Sequence, residues 1–203
     1  MSKKNVYSYR FYRLCYLFIG PIILLFRPIA VQGKENLLSG AAVVCANHSA
    51  MIDPFLVALS FNVDSPIHVL AKEELFRIPV LSFFLRKLGK ISVDRKKADI
   101  ASVKASINYL KGNEKILIFP EGTRAMEHNE VVAKSGAIKI AERTGAPVIP
   151  VFIPRKKPFF IKSKLVYGKP YIIERSVGKR TPEDYEKLAD ELMSKIQELG
   201  TAS

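Results

Sequence analysis

His48 and Asp53 stand five residues apart in the run Asn47-His48-Ser49-Ala50-Met51-Ile52-Asp53-Pro54, directly after the apolar stretch 41–46. A histidine is the natural general base for a hydroxyl near neutral pH. It works better when a carboxylate fixes its tautomer and stabilises the imidazolium that forms. Five residues of ideal helix turn about 500°, which points two side chains about 140° apart. The pair can therefore meet only across a bend, and Pro54 supplies a breaker for one. The competing reading is that Asp53 merely caps a helix starting at Pro54.

Three further polar clusters have the same setting, each following an apolar run. Phe119-Pro120-Glu121-Gly122-Thr123-Arg124 places a carboxylate and a guanidinium around a glycine turn. Arg suits a phosphate because its planar fork bonds two oxygens. Arg95 closes Gly89-Lys90-Ile91-Ser92-Val93-Asp94-Arg95, and Lys72 follows the run 67–71. Each cation could serve an anion or simply be solvated. Val148-Ile149-Pro150-Val151 is apolar: a core strand by default, or one wall of an acyl pocket.

The elements that must position these groups alternate along the chain. Residues 29–31, 41–46, 67–71, 90–93, 115–119 and 147–153 read as strands, with Pro150 marking a bulge or an edge. Residues 54–61, 79–88, 98–110 and 132–143 read as helices, the third carrying Ile100, Val103, Ile107 and Leu110 on one stripe. Segments 164–167 and 171–173 flank a Gly168-Lys169-Pro170 turn. Thr181-Pro182-Glu183-Asp184 opens a last helix with a cap, a first-turn proline and first-turn acids. This order predicts one α/β domain over 29–203, with a central, mostly parallel or mixed sheet flanked by helices. In such a sheet the clusters gather at the strands' C-terminal ends.

Residues 1–28 form a separate N-terminal segment. Lys3, Lys4, Arg10 and Arg13 precede an apolar stretch, 14–26, interrupted by Gly20-Pro21. Thirteen helical residues reach about 20 Å, short of the ~30 Å hydrocarbon core. With its aromatics, the segment suits a helical anchor lying in one leaflet of an anionic membrane; packing on the protein's own core is the alternative. The chain carries 32 Lys and Arg against 19 Asp and Glu, a net charge of +13, which favours a polyanionic partner. No basic recognition helix, helix-turn-helix pattern or RNP-like strand accompanies that charge, which argues against nucleic acid. Cys15 and Cys45 have no ligand or disulfide spacing and read as free thiols in a reducing compartment.

Taken together, the blocks resemble those of the bacterial 1-acyl-sn-glycerol-3-phosphate acyltransferases of the glycerolipid acyltransferase superfamily. NHSAMIDP is similar to the first block (the HX4D motif), GKISVDR to the second, FPEGTR to the third and VIPV to the fourth, in order across residues 29–155. Ala125 stands where Ser usually follows the third block, and Ala133-Lys134-Ser135-Gly136-Ala137 lacks the usual aromatic.

The resemblance implies acyl transfer from an acyl carrier protein or coenzyme A thioester to the sn-2 hydroxyl of lysophosphatidic acid, giving phosphatidic acid for phospholipid biosynthesis. It implies His48 as general base and Asp53 as its orienting partner. Arg95, supported by Lys72, would hold the substrate phosphate, with Glu121, Gly122 and Arg124 positioning the glycerol phosphate. It implies no metal, no cofactor and no covalent acyl-enzyme. The expected location is the cytoplasmic face of the cell membrane. Two alternatives stay open: another lysophospholipid or lipid acceptor, or a non-catalytic lipid-binding homologue. The run Arg155-Lys156-Lys157 could dock an acidic carrier protein or face lipid headgroups.

Overall fold

Strand β1 (Ile29–Gln32) leads through a short 3-10 turn to β2 (Ala42–Ala46), which is buried at all five positions. The computed structural model describes residues 7–94, 99–121, 133–176 and 178–201. Burial on both faces requires a strand without polar alternation, and Ala-Val-Val-Cys-Ala meets that requirement. Within the described residues the chain continues through α2 (Asp53–Ser60), β3 (Ile67–Lys72), α3 (Pro79–Lys87), β4 (Ile91–Val93), α4 (Ile100–Lys111), β5 (Lys115–Ile118), α5 (Gly136–Thr144), β6 (Val148–Phe152), β7 (Ser163–Tyr167) and α6 (Pro182–Thr201).

The seven strands form one mixed sheet in the order β1-β7-β6-β2-β5-β3-β4. Neighbours are parallel except β6 and β7, which run antiparallel. The fold is the α/β architecture that the alternation of elements predicts. Alternate residues of β2, β5 and β6 face opposite sides. Val43, Cys45, Ile116, Ile118 and Val148 pack with α4, α5 and α6. Val44, Ala46, Leu117, Ile149 and Val151 pack with α2. Helix α6 begins as its sequence predicts: Thr181 N–H donates to Asp184 and Asp184 N–H donates to Thr181 Oγ1, a reciprocal capping box.

The β6–β7 border explains Pro150. Val151 pairs with Tyr167 and Phe152 with Val166, whereas Val148 bridges Tyr171, one residue out of step. Pro150 sits at that slip, a β-bulge where its missing N–H breaks no regular ladder. Beyond it the expected strand 171–173 reduces to the single Tyr171 bridge. The helix expected over 132–143 is described from Gly136.

The N-terminal helix α1 (Tyr9–Phe26) is longer than expected and runs unbroken through Pro21. Tertiary contacts on both sides of the proline hold it. Tyr16 Oη donates to Phe61 O at 2.7 Å and Ile23 packs on the α2 side of the core. At Gly20, between them, an added Cβ would lie 2.7 Å from Leu59 Cδ2, so glycine permits the close crossing of α2. Tyr12, Gly20 and Ile23 thus mark an inward stripe. Leu14, Leu17, Phe18, Ile22, Leu25 and Phe26 are exposed on the other side. By length and composition α1 is the one described helix apolar enough to cross a membrane.

Candidate active site

The C-terminal ends of β6, β2, β5, β3 and β4 share one edge of the sheet, and the polar clusters follow them there. Asn47, immediately after β2, ties that end to the end of β6. Its Nδ2 donates to Ile153 O at 2.8 Å and its Oδ1 accepts from Ile153 N–H at 2.7 Å. With Asn47 fixed, the following loop turns back on itself and Asp53 becomes the first residue of α2.

The carboxylate of Asp53 organises that loop. Oδ2 accepts from the backbone N–H of Ser49 and of Ala50, both at 2.8 Å, and lies 3.1 Å from His48 Nδ1. This is the bend that the five-residue spacing demands. Asp53 opens α2, but Ile52 holds the cap position and the Asp53 carboxylate turns back to the loop and the histidine, so it does not cap the helix. Because a carboxylate only accepts, the contact assigns the proton to Nδ1 and leaves Nε2 with its lone pair. The imidazole is about seven-eighths buried, with a side-chain exposure of 13%, and stacks on Phe119 with ring centroids 4.1 Å apart.

Asp53 Oδ1 faces the ammonium of Lys157 at 3.0 Å. Among the described residues no well-directed hydrogen bond reaches Oδ1, and its contact with Lys157 is an ion pair held by charge. Lys157 Nζ also donates to Ser49 Oγ at 2.7 Å and to Arg155 O at 3.3 Å. Burial pushes the Asp53 carboxyl up, but His48, the Ala50 and Ser49 N–H groups and the Lys157 charge outweigh it and hold it below the usual range.

Lys157 is the residue that sequence reasoning missed. Within Arg155-Lys156-Lys157 it looked like surface charge, yet it is buried while Arg155 and Lys156 stay exposed. It is therefore not available to a docking partner. The only local signal was its place just beyond the β6 strand end.

Glu121 joins the histidine from β5. Its Oε2 accepts from the His48 backbone N–H at 3.3 Å. Burial raises its carboxyl, against the opposing His48 hydrogen bond and the charges of His48 and Arg155. Lys72 ends β3, two strands from β2, where its half-exposed ammonium pairs with Glu74 at 3.2 Å. Lys72 is in register with Val93 of β4. Arg95, Gly122 and Arg124 themselves lie outside the described residues. Val148 to Val151 are all buried in the sheet, the core-strand reading of that block.

The chain is similar to known proteins. A family model described as Acyltransferase matches residues 28–154. A protein of Borreliella burgdorferi named 1-acyl-sn-glycerol-3-phosphate acyltransferase is 37% identical over 139 residues, 66% of this chain and 54% of that protein. One of the same name from Bacillus subtilis is 33% identical over 165 residues, 78% of this chain and 81% of its own length. The chain thus spans about half the length of the first relative and four fifths of the second. Among solved structures, the crystal structure of the 1-acyl-sn-glycerophosphate acyltransferase PlsC from Thermotoga maritima superposes with a TM-score of 0.63 at 28% identity. The match covers 95% of this chain and 78% of that one.

Proposed function

The chain belongs to the acyltransferase family, and we propose that it transfers a fatty acyl group from a thioester to the sn-2 hydroxyl of 1-acyl-glycerol-3-phosphate. The observation that carries this reading is the His48–Asp53 contact, which occupies Nδ1 and leaves Nε2 to take a proton. Relatives named for that activity supply the acceptor.

In the proposed reaction the acceptor hydroxyl gives its proton to His48 Nε2 as its oxygen attacks the thioester carbonyl carbon. A tetrahedral oxyanion forms. It collapses with cleavage of the carbon–sulfur bond, and the proton on His48 passes to the departing thiolate. The products are the new ester and a free thiol, and the imidazole returns to neutral. Asp53 holds the ring and stabilises the transient imidazolium. Its buried carboxylate is suited to that role because Oδ2 is held by two backbone N–H groups and Oδ1 faces the Lys157 ammonium, so it is already in place as the charge appears. Lys72, Arg95, Gly122 and Arg124 are assigned to the acceptor's phosphate and glycerol by their place in the blocks, with Glu121 beside His48. The donor is an acyl carrier protein or coenzyme A thioester.

The same reading places α1 on the cytoplasmic face of the membrane as a monotopic anchor. Eighteen residues span about 27 Å, but the inward stripe is bonded to the domain, so lipid can surround only the outer face. An assay of lysophosphatidic acid with acyl carrier protein and coenzyme A thioesters, on wild type and His48→Ala together, tests the proposal. Phosphatidic acid from wild type and none from the variant is expected. Full activity in folded His48→Ala would overturn the mechanism.

A further inference from the structure

The segment joining β6 to β7 points two ways at once. Lys157 turns inward to Asp53, while Phe159, Phe160 and Ile161 turn outward with exposures of 59%, 66% and 61%. Those three side chains are not on a loose loop. Phe160 N–H donates to Phe26 O at 2.9 Å, its ring lies 5.5 Å from that of Phe26, and Ser163 N–H donates to Pro28 O at 2.9 Å. Arg27 places its guanidinium 3.6 Å from the centre of the Phe159 ring. A backbone pinned at both ends thus presents three large apolar side chains to solvent, continuous with the exposed face of α1 at Phe26.

The charge around this wedge says what covers it. Between Gly145 and Ile173 the chain has six Lys or Arg residues and no Asp or Glu. Arg155, Lys156 and Lys162 flank the apolar tip and are exposed. A second copy of the chain would set these cations against their own kind. An anionic lipid surface takes the aromatics into its interface and the cations among its headgroups.

We propose that residues 158–162 are a membrane-insertion element distinct from α1, which seats the catalytic edge of the sheet on an anionic leaflet. Two residues of chain span at most about 7 Å, so the wedge is tethered closely to Lys157 and through it to Asp53. A lysolipid could then present its headgroup to His48 while its acyl chain stays in the leaflet. This consequence rests on the proposed function; insertion itself does not.

The chain contains no tryptophan, so Phe160→Trp creates a single fluorescent reporter. On phosphatidylglycerol vesicles its emission should shift to the blue and be quenched by brominated acyl chains. On phosphatidylcholine vesicles the change should be much smaller. The triple variant Phe159→Ser/Phe160→Ser/Ile161→Ser should acylate vesicle-embedded acceptor roughly tenfold more slowly and a monomeric short-chain acceptor at the wild-type rate. Protein that sediments with vesicles while the reporter's emission stays unchanged overturns the proposal. So does a lipid-free blue shift that grows with protein concentration, which would mark a second copy as the occupant. If wild type shows no acyl transfer, the functional reading fails while the fluorescence still decides insertion.

Discussion

Lys157 sets its ammonium 3.0 Å from Asp53 Oδ1, the oxygen turned away from His48. Both side chains are almost completely buried, so neither charge is screened by water. The carboxylate therefore faces a fixed cation on one side and the histidine on the other. Lys157 fixes Asp53, and Asp53 fixes the ring.

Replacing Lys157 by Met should leave Asp53 with an unbalanced buried charge. Breaking such a pair costs about 3–5 kcal/mol of stability. The expected kinetic effect is a fall in kcat with little change in KM for the acceptor, because Lys157 faces Asp53 and not the proposed phosphate site. An unchanged kcat in folded Lys157→Met would assign Lys157 a purely structural role.

For Asp53→Asn the contacts are nearly isosteric but the chemistry is not. An amide nitrogen in place of Oδ2 would face two N–H donors and the histidine, and an amide oxygen there would carry no charge for the imidazolium. A fall in kcat of about 10³- to 10⁴-fold is expected if the pair works as the carboxylate–histidine pair of a triad does. The test is a rate measurement on protein whose circular dichroism matches wild type. A loss smaller than tenfold would argue that Asp53 only shapes the loop.

Much of this site is legible in the sequence. Each polar cluster follows a continuous apolar run, and a parallel sheet brings such strand ends to one edge, which is where His48, Glu121 and Lys72 lie. The five-residue spacing also demanded the bend that Asp53 makes. Lys157 was not legible, because its burial depends on a partner far away in the chain and nothing local distinguishes it from Lys156. The N-terminal helix misled for the same reason. Gly20-Pro21 is a strong local break, but Tyr16 and Ile23 hold the chain helical across it. Strand order was illegible too, since it depends on crossovers that periodicity does not encode.

Asn47 offers a test of how closely the histidine must be placed. Asn47→Ala removes both hydrogen bonds to Ile153 and unpairs that residue's backbone N–H and C=O. An unsatisfied buried group costs about 1–3 kcal/mol. The residue lies immediately before His48, so the backbone carrying the base loses its tie to β6. A fall in kcat exceeding tenfold, with acceptor KM nearly unchanged, is expected from a small displacement of the base. Steady-state kinetics at saturating donor would show it, and a change confined to KM would contradict it.

Lys115 provides a prediction about stability alone. It is buried at the start of β5, at the sheet edge opposite His48, with Nζ donating to Ser39 O at 2.9 Å and to Ser65 Oγ. Among the described residues no carboxylate pairs with it. Burial pushes its pKa down to about 8 from an ordinary 10.5. Between those two values the unfolded chain binds a proton that the folded chain has released. Stability contributed by this site therefore rises with pH across that window, the reverse of a lysine that gains an anionic partner. Lys115→Met removes the titration and fills similar space. Its melting temperature relative to wild type should be most favourable near pH 7 and decline steadily toward pH 10. Parallel melting curves for the two proteins across that range would mean that Lys115 keeps its charge in the fold.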